Sequence, residues 1–181
     1  LNDENIVVLG DLEETDAAAE TAQRILAAYA LAEIGRIVTD LRPSILDHQG
    51  LWAALEWQAQ EFIESASELE VDLRIHVAVG VPPPEGARAI AVFRIFQEML
   101  SNVARHARAQ HLEIRISVDE PPDPVLFLSL RDDGVGATPQ ALNASRSYGV
   151  MGMRERTAQL GGRLSIDSAP GHGMMIRLQL P

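Results

Sequence analysis

The chain reads as an α+β protein, a helical segment followed by a two-layer α/β sandwich whose helices lie on one face of a mixed, largely antiparallel sheet. Three observations predict this. Long stretches free of proline carry apolar residues at helical spacing. Shorter stretches alternate apolar and polar residues, as half-buried strands do. From residue 50 onward the two kinds of segment succeed one another, separated by clusters of Gly, Pro, Asn and Asp.

Residues 16–41 predict the first helix. They are alanine-rich, and Ile25, Leu26, Tyr29, Ile34, Ile37, Val38 and Leu41 make an apolar stripe. Before it, Ile6-Val7-Val8-Leu9 fits either a helix end or a short strand, and residues 11–15 read as a polar connection. Pro43 marks a break. Residues 50–69 predict a second helix, with Leu51, Leu55, Phe62 and Ile63 near helical spacing. Val71 to Val79 alternate as a strand, ended by Pro82-Pro83-Pro84 and Gly86. A third helix is predicted over 87–109, burying Val92, Phe93, Phe96, Met99, Leu100 and Val103. Strands follow at 111–118 and 125–131, then a glycine loop at 132–136 and a loose stretch at 137–148 with Thr138, Pro139, Asn143, Ser145 and Ser147. A helix over 150–160 stops at Gly161-Gly162. Strands at 163–168 and 174–180 flank the hairpin signal Pro170-Gly171-His172-Gly173.

A length of 181 residues admits one medium domain plus a small helical element. The absence of cysteine removes disulfides and thiolate metal sites. A net charge of -11 speaks against direct nucleic-acid binding, which needs a basic stripe. All 15 basic residues are arginine, so a P-loop lysine is impossible.

Three short blocks carry chemistry. The first, residues 97–107, is Gln-Glu-Met-Leu-Ser-Asn-Val-Ala-Arg-His-Ala on the third helix. Glu98 and Asn102 are four residues apart and share a face. A carboxylate and an amide oxygen suit Mg²⁺, which keeps waters and takes substrate phosphates as further ligands. The same spacing also describes an ordinary solvated face. The second block is Asp132-Asp133-Gly134-Val135-Gly136. A buried carboxylate accepts a hydrogen bond from the exocyclic amine of adenine, and cannot accept from guanine's carbonyl at that position. Glycines beside it remove side chains where a base must approach. An acidic turn capping a strand is the alternative. The third block, Gly149-Val150-Met151-Gly152-Met153-Arg154, opens a helix, whose free amides and positive dipole end receive phosphate oxygens. Glycines at such a place also serve packing alone.

The order and wording of the blocks resemble the ATP-binding domain of bacterial sensor histidine kinases, in the GHKL ATPase superfamily. The nearest match is the subfamily that phosphorylates LuxR/NarL-type response regulators. The resemblance spans roughly residues 16–181 and implies ATP and Mg²⁺ as cofactors. It implies that Asn102 holds Mg²⁺ and that Glu98 orients the metal shell or a water. Arg105 would lie near the phosphates, and His106 would either contact phosphate or be satisfied by a neighbour. Asp132, rather than its neighbour Asp133, would read adenine, with Gly134 and Gly136 beside it. Gly149, Val150, Met151, Gly152, Met153 and Arg154 would form the second glycine box, with Arg156 left to Glu155 and solvent. Gly171-His172-Gly173 falls at the family's Gly-x-Gly-Thr turn, where Met174 replaces the threonine and removes its hydroxyl. Residues 41–46 and 50–55 resemble the joint between dimerisation helices and ATP domain. This divides the chain into a partial dimerisation and phosphotransfer element, 1–42, and a catalytic ATP-binding domain, 43–181.

The family's phosphoacceptor is a histidine followed by an acidic residue on the first helix of a dimerising hairpin. No histidine precedes His48, which is followed by Gln49 and reads as an exposed linker residue. The chain is therefore expected to bind ATP without phosphorylating itself on the usual histidine. Its parent protein is expected to be a homodimeric histidine protein kinase serving a LuxR/NarL-type response regulator. The rival readings are a degenerate nucleotide-sensing or dimerisation module, and another GHKL ATPase or serine kinase. No apolar run approaches the ~18 residues that span a bilayer. Leu1-Asn2-Asp3-Glu4-Asn5 lacks the basic start of a signal peptide and reads as a cut through a longer protein. The expected compartment is the cytoplasm, whether or not the parent protein is anchored to a membrane.

Overall fold

The computed structural model describes residues 44–120, 122–142 and 148–181. The chain divides into two units, Leu1–Pro43 and Ser44–Pro181. The helix expected over 16–41, its apolar stripe and the ambiguous segment before it lie outside the described residues.

The second unit begins with α1 (Ser44–His48) and α2 (Gly50–Ser65), joined at Gly50 with a φ of 79°. There follow β1 (Glu70–Val77), α3 (Gly86–Asn102), β2 (His111–Val118), β3 (Leu126–Asp132), α4 (Pro139–Leu142), α5 (Tyr148–Gln159), β4 (Arg163–Ser168) and β5 (Met174–Leu180). The five strands lie in the order β1-β2-β3-β5-β4. β1 and β2 are parallel, and every other pairing is antiparallel. A parallel pair cannot be joined by a tight turn. The β1–β2 connection is therefore long enough to hold α3.

Period-two patterning decides which face is dry. Leu112, Ile114, Ile116 and Val118 of β2 are buried, as are Leu126, Leu128 and Leu130 of β3 and Ile176, Leu178 and Leu180 of β5. The helices supply Leu51, Leu55 and Phe62 from α2, Val92, Phe93, Phe96 and Met99 from α3, and Met153 from α5. Each large apolar side chain fully removed from water stabilises the fold by about 1.5–3 kcal/mol. The opposite face carries the exposed residues Arg115, Arg131, Arg177 and Gln179. No described helix is long and apolar enough to cross a membrane.

Several boundaries differ from expectation. β1 is Glu70–Val77 rather than 71–79, and Val79 lies exposed beyond it. α2 stops at Ser65 rather than 69, where the Ser65 hydroxyl donates to the Phe62 carbonyl at 2.8 Å and the Ala66 N–H turns back to Phe62 and Ile63. The third helix is α-helical only to Asn102. It widens into a π-turn over Val103–Ala107 and ends at Arg108, left-handed with φ 50°. α5 starts at Tyr148 rather than 150. β3 runs one residue further than expected and takes in Asp132. Of the loose stretch 137–148, residues 139–142 form the short helix α4, and 143–147 lie outside the described residues. His48 is exposed at the end of α1.

Candidate nucleotide site

As the last residue of β3, Asp132 pairs with Leu112 on one side and Met174 on the other. Strand parity puts it on the same face as Leu128 and Leu130, so its carboxylate faces the helix layer and is only 8% exposed. One oxygen accepts the Gly134 N–H at 2.9 Å. Burial pushes its pKa up, against the pull of hydrogen bonds from the Gly134 and Met174 amides, and the neighbouring Asp133 charge adds to the rise. A buried carboxylate with acceptor capacity to spare is suited to a neutral donor such as an aromatic amine.

The loop after Asp132 is tied to its surroundings through its backbone. The Val135 N–H donates to the Ala107 carbonyl at 2.8 Å, the Gly173 N–H to the Gly134 carbonyl at 2.9 Å, and the Gly171 N–H to the Val135 carbonyl at 2.7 Å. A Cβ on Gly134 would overlap the Ala107 carbonyl, and one on Gly136 (φ 63°) the Ala169 carbonyl. One on Gly173 (φ 68°) would overlap the Asp132 carbonyl. The glycines of this block thus make room for the chain's own backbone. Ser168 extends the knot: its hydroxyl accepts the Ala137 N–H at 2.8 Å and donates to the Gly173 carbonyl at 2.7 Å.

Ala107, which anchors this loop, closes the π-turn that continues α3. On α3 itself, Asn102 has a side-chain nitrogen that is fully buried and has no hydrogen-bond partner. An unpaired buried amide costs about 1–3 kcal/mol, and such a group in a native fold requires an explanation. One turn earlier, Glu98 is half-buried, and its carboxylate lies so close to Gly149 that a Cβ there would have to displace it. Gly149 is in the first turn of α5, where amides lack partners within the helix. The loop after Asp132 is thus tied to the end of the helix that carries Asn102 and Glu98, and Glu98 touches the start of α5. Arg105 and His106 lie exposed on the π-turn between Asn102 and Ala107. π-turns of this kind recur at functional sites.

Within the second glycine block the residues divide. Met151 is 48% exposed and Val150 packs at the edge of the core. Arg154 is exposed. Met153 was expected at the nucleotide, but its side chain is 0% exposed in the core, in the second turn of α5. Its spacing from Thr157, another buried residue whose hydroxyl donates to the Met153 carbonyl at 2.7 Å, marks the inward face of that helix. A Cβ on Gly152 would meet only the Arg156 guanidinium. Ala107 and Ser168 also hold the loop, without a sequence signal that names them. Ala107 acts through a carbonyl, which leaves no mark in the residue type, whereas Ser168 shows only as a polar residue at a strand end. Among the described residues, no group of three or more His, Asp or Glu is placed to hold a metal ion. A site of one or two protein oxygens completed by phosphates and waters is the kind Mg²⁺ uses.

A one-sided sandwich with a carboxylate buried at a strand end and a helix opening beside it is the architecture of a nucleotide-binding ATPase domain. Residues 87–181 match the family described as histidine kinase-, DNA gyrase B-, and HSP90-like ATPase, and the chain belongs to that family. Among its relatives is the signal transduction histidine-protein kinase/phosphatase DegS of Brevibacillus brevis. The two are 34% identical over 158 residues, covering 87% of this chain and 39% of DegS. The sensor histidine kinase LiaS of Bacillus subtilis is 31% identical over 173 residues, covering 92% of this chain and 45% of LiaS. The oxygen sensor histidine kinase NreB of Staphylococcus carnosus is 23% identical, covering 93% and 48%. The chain spans less than half the length of these relatives. The fold is shared with the histidine kinase domain of the Erythrobacter litoralis EL346 blue-light activated kinase, at a TM-score of 0.54, 18% identity and coverage of 70% and 58%. It is shared also with the Acinetobacter baumannii histidine kinase AdeS, at a TM-score of 0.54, 14% identity and coverage of 83% and 79%.

Proposed function

We propose that residues 44–181 bind ATP with Mg²⁺ and present its γ-phosphoryl group to a histidine, as the donor half of a sensor histidine kinase. The observation that carries this reading is the orphaned amide of Asn102, buried on the face of α3 that also holds Glu98. Its side chain fits a ligand that brings both a metal ion and phosphate acceptors. Asn102, with Glu98 beside it, would hold Mg²⁺. When bound, that ion would supply charge neutralisation along the phosphates. Asp132 would accept the adenine amine, with its carboxylate already fixed by the Gly134 N–H. Arg105, and His106 beside it, would face phosphate charge from the π-turn. The first-turn amides of α5, at Gly149, Val150 and Met151, would receive phosphate oxygens. Gly152 and Arg154 stand next to that turn.

We further infer a histidine protein kinase activity in the whole protein, a homodimer formed through residues 16–41, a LuxR/NarL-type response regulator as partner, and a cytoplasmic setting where ATP is at hand. The support is likeness to DegS, LiaS and NreB together with the apolar stripe at Ile25, Leu26, Tyr29, Ile34 and Ile37. No phosphate should accumulate on His48. The test is ATP titration with and without Mg²⁺ for the parent chain and Asn102→Ala. The variant should lose more affinity in the presence of the metal than in its absence. Equal losses would make Asn102 a residue of the fold alone. Stable phosphohistidine on the purified chain would contradict the assignment of His48.

A further inference from the structure

Asp132 and Asp133 are adjacent, but parity turns them to opposite faces of the sheet. Asp133 is exposed, and both of its oxygens are engaged. One of its oxygens accepts two backbone amides at the start of β2, the Gln110 N–H at 2.8 Å and the His111 N–H at 2.9 Å. The other oxygen lies 2.7 Å from His111 Nδ1. The His111 ring reaches across to β1, with Nε2 3.3 Å from the Glu70 carboxylate. The Asp133 N–H returns the link by donating to the His111 carbonyl at 3.3 Å.

We propose that Asp133 and His111 are a positioning pair, pinning the exit of β3 to the start of β2 and so aiming the Asp132 carboxylate into the nucleotide site. This deepens the reading of Asp132 as the adenine contact and rests on it. β3 ends at Asp132, where its last ladder partners are Leu112 and Met174. The backbone beyond that point is held on the inner side by Gly134, Val135 and Gly173. On the outer side it is held by Asp133. With both holds in place the carbon bearing the Asp132 carboxylate has little freedom to rotate about the strand axis.

The outer hold has a charged component. Asp133 is kept well below the usual carboxylate range, at about 2, by the His111 amide first, then by the His111 ring and the Gln110 amide. The His111 imidazole is pushed up, chiefly by its hydrogen bond to Asp133. The pair shares a depression of about 650 Å³ with Glu70 and Asp72 of β1, Glu113 of β2, Arg131 and Asp132 of β3 and His172 of the β4–β5 turn. Acidic groups outnumber the one arginine there, which favours a protonated ring. The ionic part of the hold is complete at low pH and is lost as pH rises through the raised histidine value. The two backbone amides stay bound to Asp133 throughout.

The experiment measures ATP and GTP affinity, both with Mg²⁺, for the parent chain, Asp133→Ala, Asp133→Asn and His111→Ala at about pH 6 and about pH 9, either side of the ordinary histidine value. Asp133→Ala should weaken ATP binding by about fivefold or more, the scale of lost charge-assisted hydrogen bonds, and narrow the preference for ATP over GTP. A purely structural loss would lower both affinities together and leave that preference intact. Asp133→Asn keeps an acceptor for the two amides and should restore most of the affinity. The ratio of parent to His111→Ala affinity should exceed one at low pH and approach one at high pH. Parental affinity and base preference in Asp133→Ala, or a pH-independent ratio for His111→Ala, would overturn the proposal. If the parent chain binds neither nucleotide, the reading of the site fails, and the pair is judged by hydrogen exchange at the Gly134 and Val135 amides. Exchange there should be faster in Asp133→Ala, and unchanged exchange would overturn the hold itself.

Discussion

The two glycine blocks look alike in sequence and use their glycines for different ends. In the loop 132–136, Gly134 and Gly136 lie against the carbonyls of Ala107 and Ala169, groups that belong to the backbone and cannot step aside. At the start of α5, Gly149 lies against the tip of Glu98, and Gly152 against the tip of Arg156. Both of those tips are carried on rotatable side chains. One block is a knot that shapes a buried carboxylate, and the other is a surface whose neighbours can be displaced. A glycine-rich signature therefore reports close approach without saying what approaches.

The comparison can be broken most sharply at Gly134. Gly134→Ala should destabilise the fold by about 3 kcal/mol or more, since the added methyl overlaps backbone and the loop is held on both sides. Urea denaturation reads this directly, and a loss under about 1 kcal/mol would mean that the knot yields easily. Asp132→Asn tests the one side chain in that block aimed at the helix layer. It should cost about 1–3 kcal/mol of ATP affinity, and GTP should bind the parent poorly. Tight GTP binding would remove Asp132 as the adenine contact. Its raised pKa gives this variant a signature in stability as well. The native state holds the Asp132 proton more firmly than the unfolded chain. Parent stability relative to Asp132→Asn should therefore fall as pH rises from the ordinary carboxylate value towards the raised one, and stay level beyond.

Gly149→Ala should have a smaller effect on folding, about 1 kcal/mol, because Glu98 can swing away. Its coupling to Glu98→Ala should be visible in a double-mutant cycle, and strict additivity would mean that the two do not touch in solution. Gly152→Ala should be smallest. The new methyl meets a flexible guanidinium at 2.8 Å, while alanine favours the helix by up to about 1 kcal/mol. A stability change near zero or slightly positive is expected in thermal melts, and a loss comparable to that of Gly134→Ala would erase the distinction between the blocks.

These contrasts also mark how far sequence reasoning reaches. The strands were legible because alternation in Leu112-Glu113-Ile114-Arg115-Ile116 and in Leu126-Phe127-Leu128-Ser129-Leu130 leaves one arrangement that keeps apolar residues dry. The same parity, carried one residue further than the predicted strand end, turns Asp132 inward. The side chain of Met153 turns into the core because a helix separates neighbours by 100° each, whereas motif wording groups them along the chain. The end of α3 was illegible for another reason. Val-Ala-Arg-His-Ala is compatible with continued helix, and the left-handed stop falls on Arg108 where glycine or asparagine would ordinarily announce it. Asp133 received no role from sequence, since a carboxylate that serves backbone amides of another strand has no periodicity to betray it.

The strand order carries a consequence for how the site comes into being. β3 pairs with β5, and the Gly134 carbonyl finds its donor in Gly173, so β4 and the turn after it are passed over before the knot can close. The loop beside Asp132 is fully tied only when Gly171 and Gly173, far along the chain, are in place. Contacts so distant along the chain are slow to form. Nucleotide affinity in a growing chain would then arrive late and abruptly, a sign that the sheet has been completed.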